Sequence, residues 1–320
     1  MTTTPPWIDP ELVAMGAWLN EHCLAAMSPL TAPLADCRLM IDRIGAALSA
    51  FSPPLKRERD LSIPGPHGAM PCRLYLPDDI EQPPLLVYAH GGSFALGSLS
   101  AWDGLLRDLT RQSGVAILSL DYRLAPEHPF PIACDEMLTT IRYAAREGAV
   151  WGIDPSRLAV GGDSAGANLA LGAAQALRDA NEAALSFMLL IYGVYDDNAY
   201  SPSWQRLGTG TYGLSAAQMD WIWTHYLSST DQRTDPRVTP IRGSMHGLPP
   251  AHLLVGTLDP LIDENQALAA RLAEAGVASE LKIYAGLTHG FIRSGPLIRT
   301  AARAVTASAQ ALAQALSQRR

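Results

Sequence analysis

The sequence predicts an α/β fold, in which a mostly parallel sheet of eight strands is flanked by helices and carries a helical cap. Short apolar strands alternate with amphipathic helices over most of the chain, which is typical of a parallel sheet covered on both faces. With 320 residues, the chain is long enough for one large unit of this kind. Two stretches without strand signals, one before the alternation and one within it, supply the predicted cap.

The first of these stretches is residues 1–54, where only helical signals occur. Apolar residues recur at helical spacing from Leu12 to Cys23, and a second amphipathic stretch runs from Leu34 to Leu48. The segment is predicted to cover the sheet as part of a cap. A helical extension that only shields core surface is the alternative.

The main domain is predicted to span residues 55–320. Two strand-like segments around the turn Pro64–Gly68 predict an antiparallel hairpin at the sheet edge. The predicted strands are Arg57–Ile63, Pro71–Leu76, Leu85–Ala89, Val115–Leu120, Leu158–Val160, Phe187–Ile191, Ala251–Val255 and Leu281–Tyr284. The predicted core helices are Trp102–Gln112, Ile132–Arg146, Ala165–Arg178, Leu261–Ala275 and Leu297–Leu316.

Residues 195–250 interrupt the alternation, and Ser215 is predicted to cap a helix at Ala216–Tyr226. An insertion after the carboxyl end of a strand lies over the ligand crevice of an open α/β sheet, so this one is predicted to form the second part of the cap. It is rich in aromatic residues, most of which are expected to pack between cap and core: Trp204, Tyr212, Trp221, Trp223 and Tyr226.

Composition, charge and cysteine spacing indicate which partners and which compartment to expect. The formal net charge is −7 and no cluster of Lys and Arg stands out, so nucleic acid is not an expected partner. No secretory signal is visible in Met1–Pro10 and no run of about 18 apolar residues occurs, so we expect a cytoplasmic protein without a membrane span. The cysteines lack CxxC or zinc-ligand spacing and are expected to be reduced: Cys23, Cys37, Cys72 and Cys134.

The chain is organised around the turn GDSAG at residues 162–166. It stands between a predicted strand and a predicted helix, which is the context of a nucleophile elbow. Such a turn exposes the hydroxyl of Ser164 at the carboxyl edge of the sheet. An ordinary strand–helix turn is the alternative, because Gly and Ser are also common loop residues.

A serine hydroxyl needs a base that accepts its proton, and the base needs an acid that orients it. His289 follows the last core strand and Asp259 follows the strand before it, so both are expected at the same sheet edge as Ser164. Asp259 could also cap the helix that begins near Pro260, and Asp263, one turn further on, is the rival acid. The order Ser, Asp, His along the chain is that of α/β-hydrolases.

Developing negative charge on a substrate oxygen requires hydrogen-bond donors. The sequence HGGSF at residues 90–94 follows a predicted strand, where this fold places its oxyanion loop. The N–H groups of Gly91, Gly92 and Ala165 are the expected donors. His90 is expected to hold the loop by hydrogen bonds, since no second nucleophile is there for it to serve.

Five motifs in this order resemble the hormone-sensitive-lipase-type bacterial esterases, and within them the acetyl esterases. They are HGG at 90–92, YRLAPE at 122–127, GDSAG at 162–166, DPL at 259–261 with DE at 263–264, and HGF at 289–291. The resemblance implies Ser164 as nucleophile, Asp259 as acid and His289 as base, with Gly91, Gly92 and Ala165 as oxyanion donors. Ser93 stands where the family has a third glycine, which is expected to stiffen the loop without abolishing the hole.

The predicted activity is hydrolysis of short-chain esters, from acetyl to about hexanoyl, through an acyl-serine intermediate. The partner is a small ester, no metal or organic cofactor is expected, and the oligomeric state is open, with a homodimer as one alternative. The same triad could serve an amidase, formamidase or lactonase. The alternative from outside enzyme chemistry is a ligand-binding protein built on a hydrolase scaffold.

Overall fold

The structure is a computed structural model that describes residues 6–182 and 185–317. The first five residues of the predicted segment 1–54, which also begin the stretch Met1–Pro10, lie outside the described residues. No helix in the described ranges is long and apolar enough to cross a membrane.

One twisted sheet of eight strands forms the centre of the molecule, in the order β1-β2-β4-β3-β5-β6-β7-β8. The strands are β1 (Arg57–Gly65), β2 (Gly68–Leu76), β3 (Leu85–Ala89), β4 (Ala116–Leu120), β5 (Leu158–Asp163), β6 (Leu185–Ile191), β7 (Ala251–Gly256) and β8 (Ser279–Tyr284). The pairs β1–β2 and β2–β4 are antiparallel, and all other neighbours are parallel. The predicted fold class and the predicted edge hairpin are therefore confirmed.

Helices cover both faces of the sheet, because its central strands are apolar on both sides. The helices are α1 (Pro10–Glu21), α2 (Leu34–Ser49), α3 (Leu99–Ser113), α4 (Ile132–Glu147), α5 (Ala165–Asp179), α6 (Pro202–Leu207), α7 (Ala216–Tyr226), α8 (Ile262–Glu274) and α9 (Arg299–Leu316). One core cluster joins the sheet to α4, α5 and α8, and a second joins it to α3 and α9. Each face of the sheet thus has its own apolar layer.

Several element boundaries differ from the sequence-based prediction, and three of the differences have a clear physical reason. Helix α3 begins three residues earlier than expected, because the Ser98 hydroxyl accepts the Ala101 N–H and caps it. Strand β5 continues through two glycines to Asp163, since pairing with β3 and β6 overrides the low strand propensity of glycine. Helix α1 ends before Cys23, whose φ of +54° is not helical.

Candidate active site

Ser164 lies in the turn between β5 and α5. Its φ of +54° and ψ of −118° fall outside the regions that an L-residue normally occupies, at a cost of about 1–3 kcal/mol. The backbone N–H of Ser164 donates to the Ile191 carbonyl at 2.9 Å, which ties the turn to the end of β6. The surrounding sheet therefore holds the serine in its strained conformation.

Glycines flank the serine because strand β3 passes too close for any side chain. A Cβ added to Gly166 would lie 1.9 Å from the Ala89 carbonyl oxygen, and one added to Gly162 would lie 2.5 Å from the same atom. Either contact would force the turn away from β3. The two glycines of the GDSAG motif are thus required by packing, and Ser164, midway between them, lines the cavity.

The structure brings Ser164, His289 and Asp259 into one line of hydrogen bonds. Ser164 Oγ lies 2.8 Å from His289 Nε2, and His289 Nδ1 lies 2.8 Å from Asp259 Oδ2. These residues come from three loops at the carboxyl edge of the sheet, after β5, β7 and β8. The arrangement can move a proton from the serine hydroxyl to the ring.

Asp259 controls the charge of the His289 ring. Burial works against protonation, but the Asp259 carboxylate beside Nδ1 outweighs it, so the pKa of His289 is raised from its ordinary value. Asp259 itself is completely buried. A buried carboxylate at Nδ1 fixes the tautomer that leaves Nε2 free to accept the serine proton.

The two oxygens of Asp259 serve different partners. While Oδ2 meets the histidine, Oδ1 accepts the Leu261 N–H at 2.9 Å and so also holds the turn into α8. The rival acid, Asp263, lies inside α8 and accepts the Ser203 N–H at 2.8 Å. The structure therefore places Asp259, and not Asp263, against the imidazole.

The oxyanion loop differs from the expectation at Gly91. Its N–H donates to Asp163 Oδ1 at 2.9 Å and is buried, so it is not available to a substrate. Gly92 and Ser93 line the cavity instead, and the described part of the chain offers no acceptor for their N–H groups. Ala165 opens α5, where backbone N–H groups have no partner within the helix.

The loop is folded tightly around its second glycine. Gly92 has a φ of +117°, and a Cβ there would lie 2.2 Å from the Leu96 carbonyl oxygen. Ser93 and Phe94 follow with φ values of +60° and +57°, in the left-handed region that favours glycine. Ser93 therefore adopts a conformation that the family's third glycine would reach without strain.

Asp163, the residue before the serine, joins the elbow to the oxyanion loop. Its Oδ1 accepts hydrogen bonds from the Tyr88 hydroxyl at 2.8 Å, the Gly91 N–H at 2.9 Å and the Trp102 indole N–H at 2.8 Å. The Tyr192 hydroxyl approaches Oδ2 at 3.4 Å. Burial raises the pKa of Asp163, although these donors oppose the shift. Sequence reasoning gave this residue no role, because the second position of the motif can be any residue.

His90 is buried beneath the oxyanion loop. Its Nδ1 lies 2.7 Å from the Gly91 carbonyl oxygen, and its ring stacks on Tyr122 with centroids 4.5 Å apart. Burial lowers the pKa of His90 to about 4, so the ring is neutral near pH 7. These contacts are those of a residue that supports the loop.

A cavity of about 200 Å³ opens above Ser164 and His289. Its other walls are mainly apolar and come from distant parts of the chain. Ile41 belongs to α2, and three residues belong to the stretch 195–250: Leu214, Met219 and Ile222. Among the described residues, no group of three or more His, Cys, Asp or Glu side chains is placed to hold a metal ion.

The aromatic residues of the stretch 195–250 divide by burial. Trp204, Trp223 and Tyr226 are buried, whereas Tyr212 and Trp221 are partly exposed. Tyr226 stacks on Phe94 of the oxyanion loop with ring centroids 3.9 Å apart. Packing against the core is thus the main role of the buried ones.

Comparison with known proteins places this geometry in a family. The family model of the α/β-hydrolase fold matches residues 86–293. The chain is 39% identical over 264 residues to an ethyl acetate hydrolase of Pseudomonas putida, covering 80% of this chain and 82% of the relative. It is 31% identical over 245 residues to an acetyl esterase of Salmonella schwarzengrund, covering 75% of this chain and 74% of the relative.

A solved structure agrees along almost the whole chain. The esterase of Pyrobaculum calidifontis superimposes with a TM-score of 0.90 at 31% identity, covering 96% of this chain and 99% of that one. Similarity in sequence and similarity in fold thus both relate this chain to ester hydrolases. The chain belongs to the α/β-hydrolase fold family, in its hormone-sensitive-lipase-type branch.

Proposed function

We propose that this ester hydrolase is a serine carboxylesterase for short acyl chains, from acetyl to about hexanoyl, with Ser164 as nucleophile, His289 as base and Asp259 as acid. The observation that carries the proposal is the line of two 2.8 Å contacts from the serine hydroxyl through the imidazole to the buried carboxylate. The similarity to an ethyl acetate hydrolase and to an acetyl esterase supports the ester as substrate.

In the proposed reaction, Ser164 Oγ attacks the ester carbonyl as His289 Nε2 takes its proton. The tetrahedral intermediate collapses when the same nitrogen returns that proton to the leaving alcohol, which leaves an acyl-serine. A water molecule then attacks the acyl carbonyl and gives a proton to His289. Collapse of this second intermediate releases the carboxylic acid and restores the serine.

We assign stabilisation of the oxyanion to the N–H groups of Gly92, Ser93 and Ala165. Gly91 is left out because its N–H is already used by Asp163. Gly92 and Ser93 face the cavity, and Ala165 stands at the first position of α5, where the helix dipole also favours negative charge. One such donor is typically worth about 3 kcal/mol in the barrier.

The size of the cavity supports a small acyl group. Its volume of about 200 Å³ is well below the roughly 300–1,000 Å³ of clefts that take drug-sized ligands. We propose that segment 1–54 and residues 195–250 act as a two-part cap on the domain 55–320, since Ile41, Leu214 and Met219 close the cavity. A series of p-nitrophenyl esters of increasing acyl length tests whether the cavity restricts the enzyme to short acyl chains. A rate maximum above about ten carbons would contradict it.

Ser164→Ala tests the catalytic assignment. It is expected to lower kcat for p-nitrophenyl acetate by about 10⁴-fold or more while the circular dichroism spectrum and Tm stay near those of the wild type. If Ser164→Ala kept the wild-type rate, the serine would not be the nucleophile and GDSAG would be an ordinary strand–helix turn. A wild type that bound esters without turnover would favour the ligand-binding alternative.

The amidase alternative is tested with one matched pair of substrates. Phenyl acetate and acetanilide differ only in the atom that leaves, and the proposed esterase is expected to hydrolyse the ester far faster, because expelling an amine demands more of the acid. Equal rates would contradict the ester assignment.

A cytoplasmic location is proposed on the state of the cysteines. Cys23, Cys37, Cys72 and Cys134 are all free thiols, which fits a reducing compartment. Alkylation with a mass tag in intact cells is expected to label Cys23, the exposed one.

A homodimer stays a prediction, which light scattering of the purified protein tests.

A further inference from the structure

Arg293 is a charged residue in the wall of the cavity that the proposed mechanism does not use. It lies in a short 3₁₀ turn, Phe291–Ser294, four residues after His289. The side chain is half-buried and lines the same cavity as Ser164. A guanidinium is positively charged at every working pH, so the apolar cavity carries a fixed positive group beside the nucleophile.

The guanidinium lies over an aromatic ring. Its central carbon lies 4.2 Å from the centre of the Trp102 ring, a cation–π contact. Trp102 in turn is fixed, because its indole N–H donates to Asp163. The contact with this fixed ring therefore limits where the guanidinium can lie in the cavity wall.

Within the described part of the chain, the Arg293 side chain makes no hydrogen bond and has no carboxylate oxygen within 4 Å. Two acidic residues act on it from further away, and each already has donors. Asp163 is held by Tyr88, Gly91 and Trp102, and Asp42 of α2 accepts the Ser98 hydroxyl at 2.7 Å. Burial lowers the pKa of Arg293. The N–H groups of this half-buried guanidinium are not among the described buried polar atoms that lack a partner, so they are open to water or to an anionic ligand in the cavity.

We propose that Arg293 is a specificity-determining residue that binds a carboxylate on the substrate. The preferred substrates are then esters that carry a second, ionised carboxyl group, either on the acyl side, as in half-esters of dicarboxylic acids, or on the alcohol side, as in acylated hydroxy acids. A carboxylate can accept two parallel N–H bonds from the guanidinium edge. The inference rests on the proposed function, because it needs the ester carbonyl at Ser164.

A different role for the same residue is compensation of the buried Asp163 charge. In that case Arg293 would hold the elbow and would matter equally for charged and neutral substrates. The two roles differ in one measurable quantity, the ratio of kcat/KM between an anionic ester and a neutral ester of the same shape.

The test uses two isosteric pairs and three arginine variants. Monoethyl succinate against ethyl levulinate places the charge on the acyl side, and acetoxyacetate against acetoxyacetone places it on the alcohol side. Arg293→Met removes the charge and Arg293→Lys keeps it without the planar fork. Arg146→Met is the matched control, because Arg146 also lies over a ring, Tyr143, but is exposed and is not among the residues that line the cavity.

The wild type is expected to prefer the anionic member of one pair by at least about tenfold, the usual worth of a hydrogen-bonded charge pair. Arg293→Met should abolish that preference while changing kcat/KM for the neutral member less than about threefold, and Arg293→Lys should keep part of it. Arg146→Met should leave both ratios unchanged.

Two results overturn the proposal. One is a wild type that shows no preference in either pair although it hydrolyses the neutral esters. The other is an Arg293→Met variant that loses the same factor on charged and neutral esters, which identifies compensation of Asp163. Failure of the wild type on all four esters overturns the proposed function itself, so the two failures are distinguishable.

Discussion

Asp163→Asn tests whether the carboxylate before the serine holds the oxyanion loop. Three donors share Oδ1 of Asp163, at 2.8 to 2.9 Å. An uncharged amide oxygen is a weaker acceptor than a carboxylate oxygen, so one of the three bonds is expected to weaken or break, at a cost of about 1–3 kcal/mol. Removing a buried charge offsets part of this, since burial raises the pKa of Asp163. We therefore expect a loss of at most about 2 kcal/mol in the free energy of unfolding.

The effect on catalysis is expected to be larger than the effect on stability. Gly91 is one of the three donors, and the next two residues, Gly92 and Ser93, carry proposed oxyanion donors. If the Gly91 contact loosens, those N–H groups leave the position of the developing oxyanion. Loss of one donor corresponds to about a 10²–10³-fold fall in kcat, with KM nearly unchanged.

The assay combines steady-state kinetics on p-nitrophenyl acetate with thermal unfolding. A loss of about 2 kcal/mol lowers Tm by less than about 10 °C for a domain of this size, so the variant should remain folded at 25 °C. Tyr88→Phe is the control, because it removes one donor from the same oxygen but leaves the Gly91 contact in place. An Asp163→Asn enzyme within about threefold of the wild-type kcat would refute the role of the Gly91 contact.

The pH dependence should follow His289: kcat/KM is expected to fall as the pH drops through its raised pKa, because a protonated ring cannot accept the serine proton. Asp259→Asn should move that acidic limb to lower pH and lower kcat by about 10⁴-fold, and an unmoved limb in the pH–rate profile would contradict this cause. Arg38→Met removes the ion pair that holds the pKa of Glu127 at about 2, together with two bonds from α2 to backbone carbonyls, and is expected to cost about 1–2 kcal/mol in calorimetry. Met219→Ala widens the cavity and should lengthen the best acyl chain by about one or two carbons in the p-nitrophenyl ester series, whereas an unchanged optimum would place the acyl chain elsewhere.

The sheet was predictable because its signals are local. Most of the parallel strands are short apolar runs bounded by turn residues, and strand-like segments were predicted for all eight strands of the observed sheet, including the more polar edge strand β8. The boundaries were less predictable where tertiary contacts decide them. Gly161 and Gly162 do not favour a strand, yet β5 includes both because β3 and β6 pair with them.

The site was predictable only as far as chemistry requires particular residue types. Serine, histidine and aspartate at three strand ends could be picked out, since nucleophilic catalysis needs them in these roles. The use of each backbone N–H could not, because that depends on which side chain lies beside it. Gly91 looked equivalent to Gly92 in the sequence, and only the position of Asp163 separates them.

The groups proposed to react and part of the wall proposed to select the ester lie in different parts of this molecule. The groups proposed to react stand on loops fixed by the sheet, such as the elbow tied to Ile191. Part of the apolar wall comes from α2 and from residues 195–250, which meet the cavity through Ile41 and Met219 and supply none of the groups proposed to react. Substitutions in these walls can therefore change which ester fits while the triad geometry is retained. Arg293 is the exception, because its turn follows His289, the proposed base, so the proposed charge recognition would lie beside the proposed reacting centre.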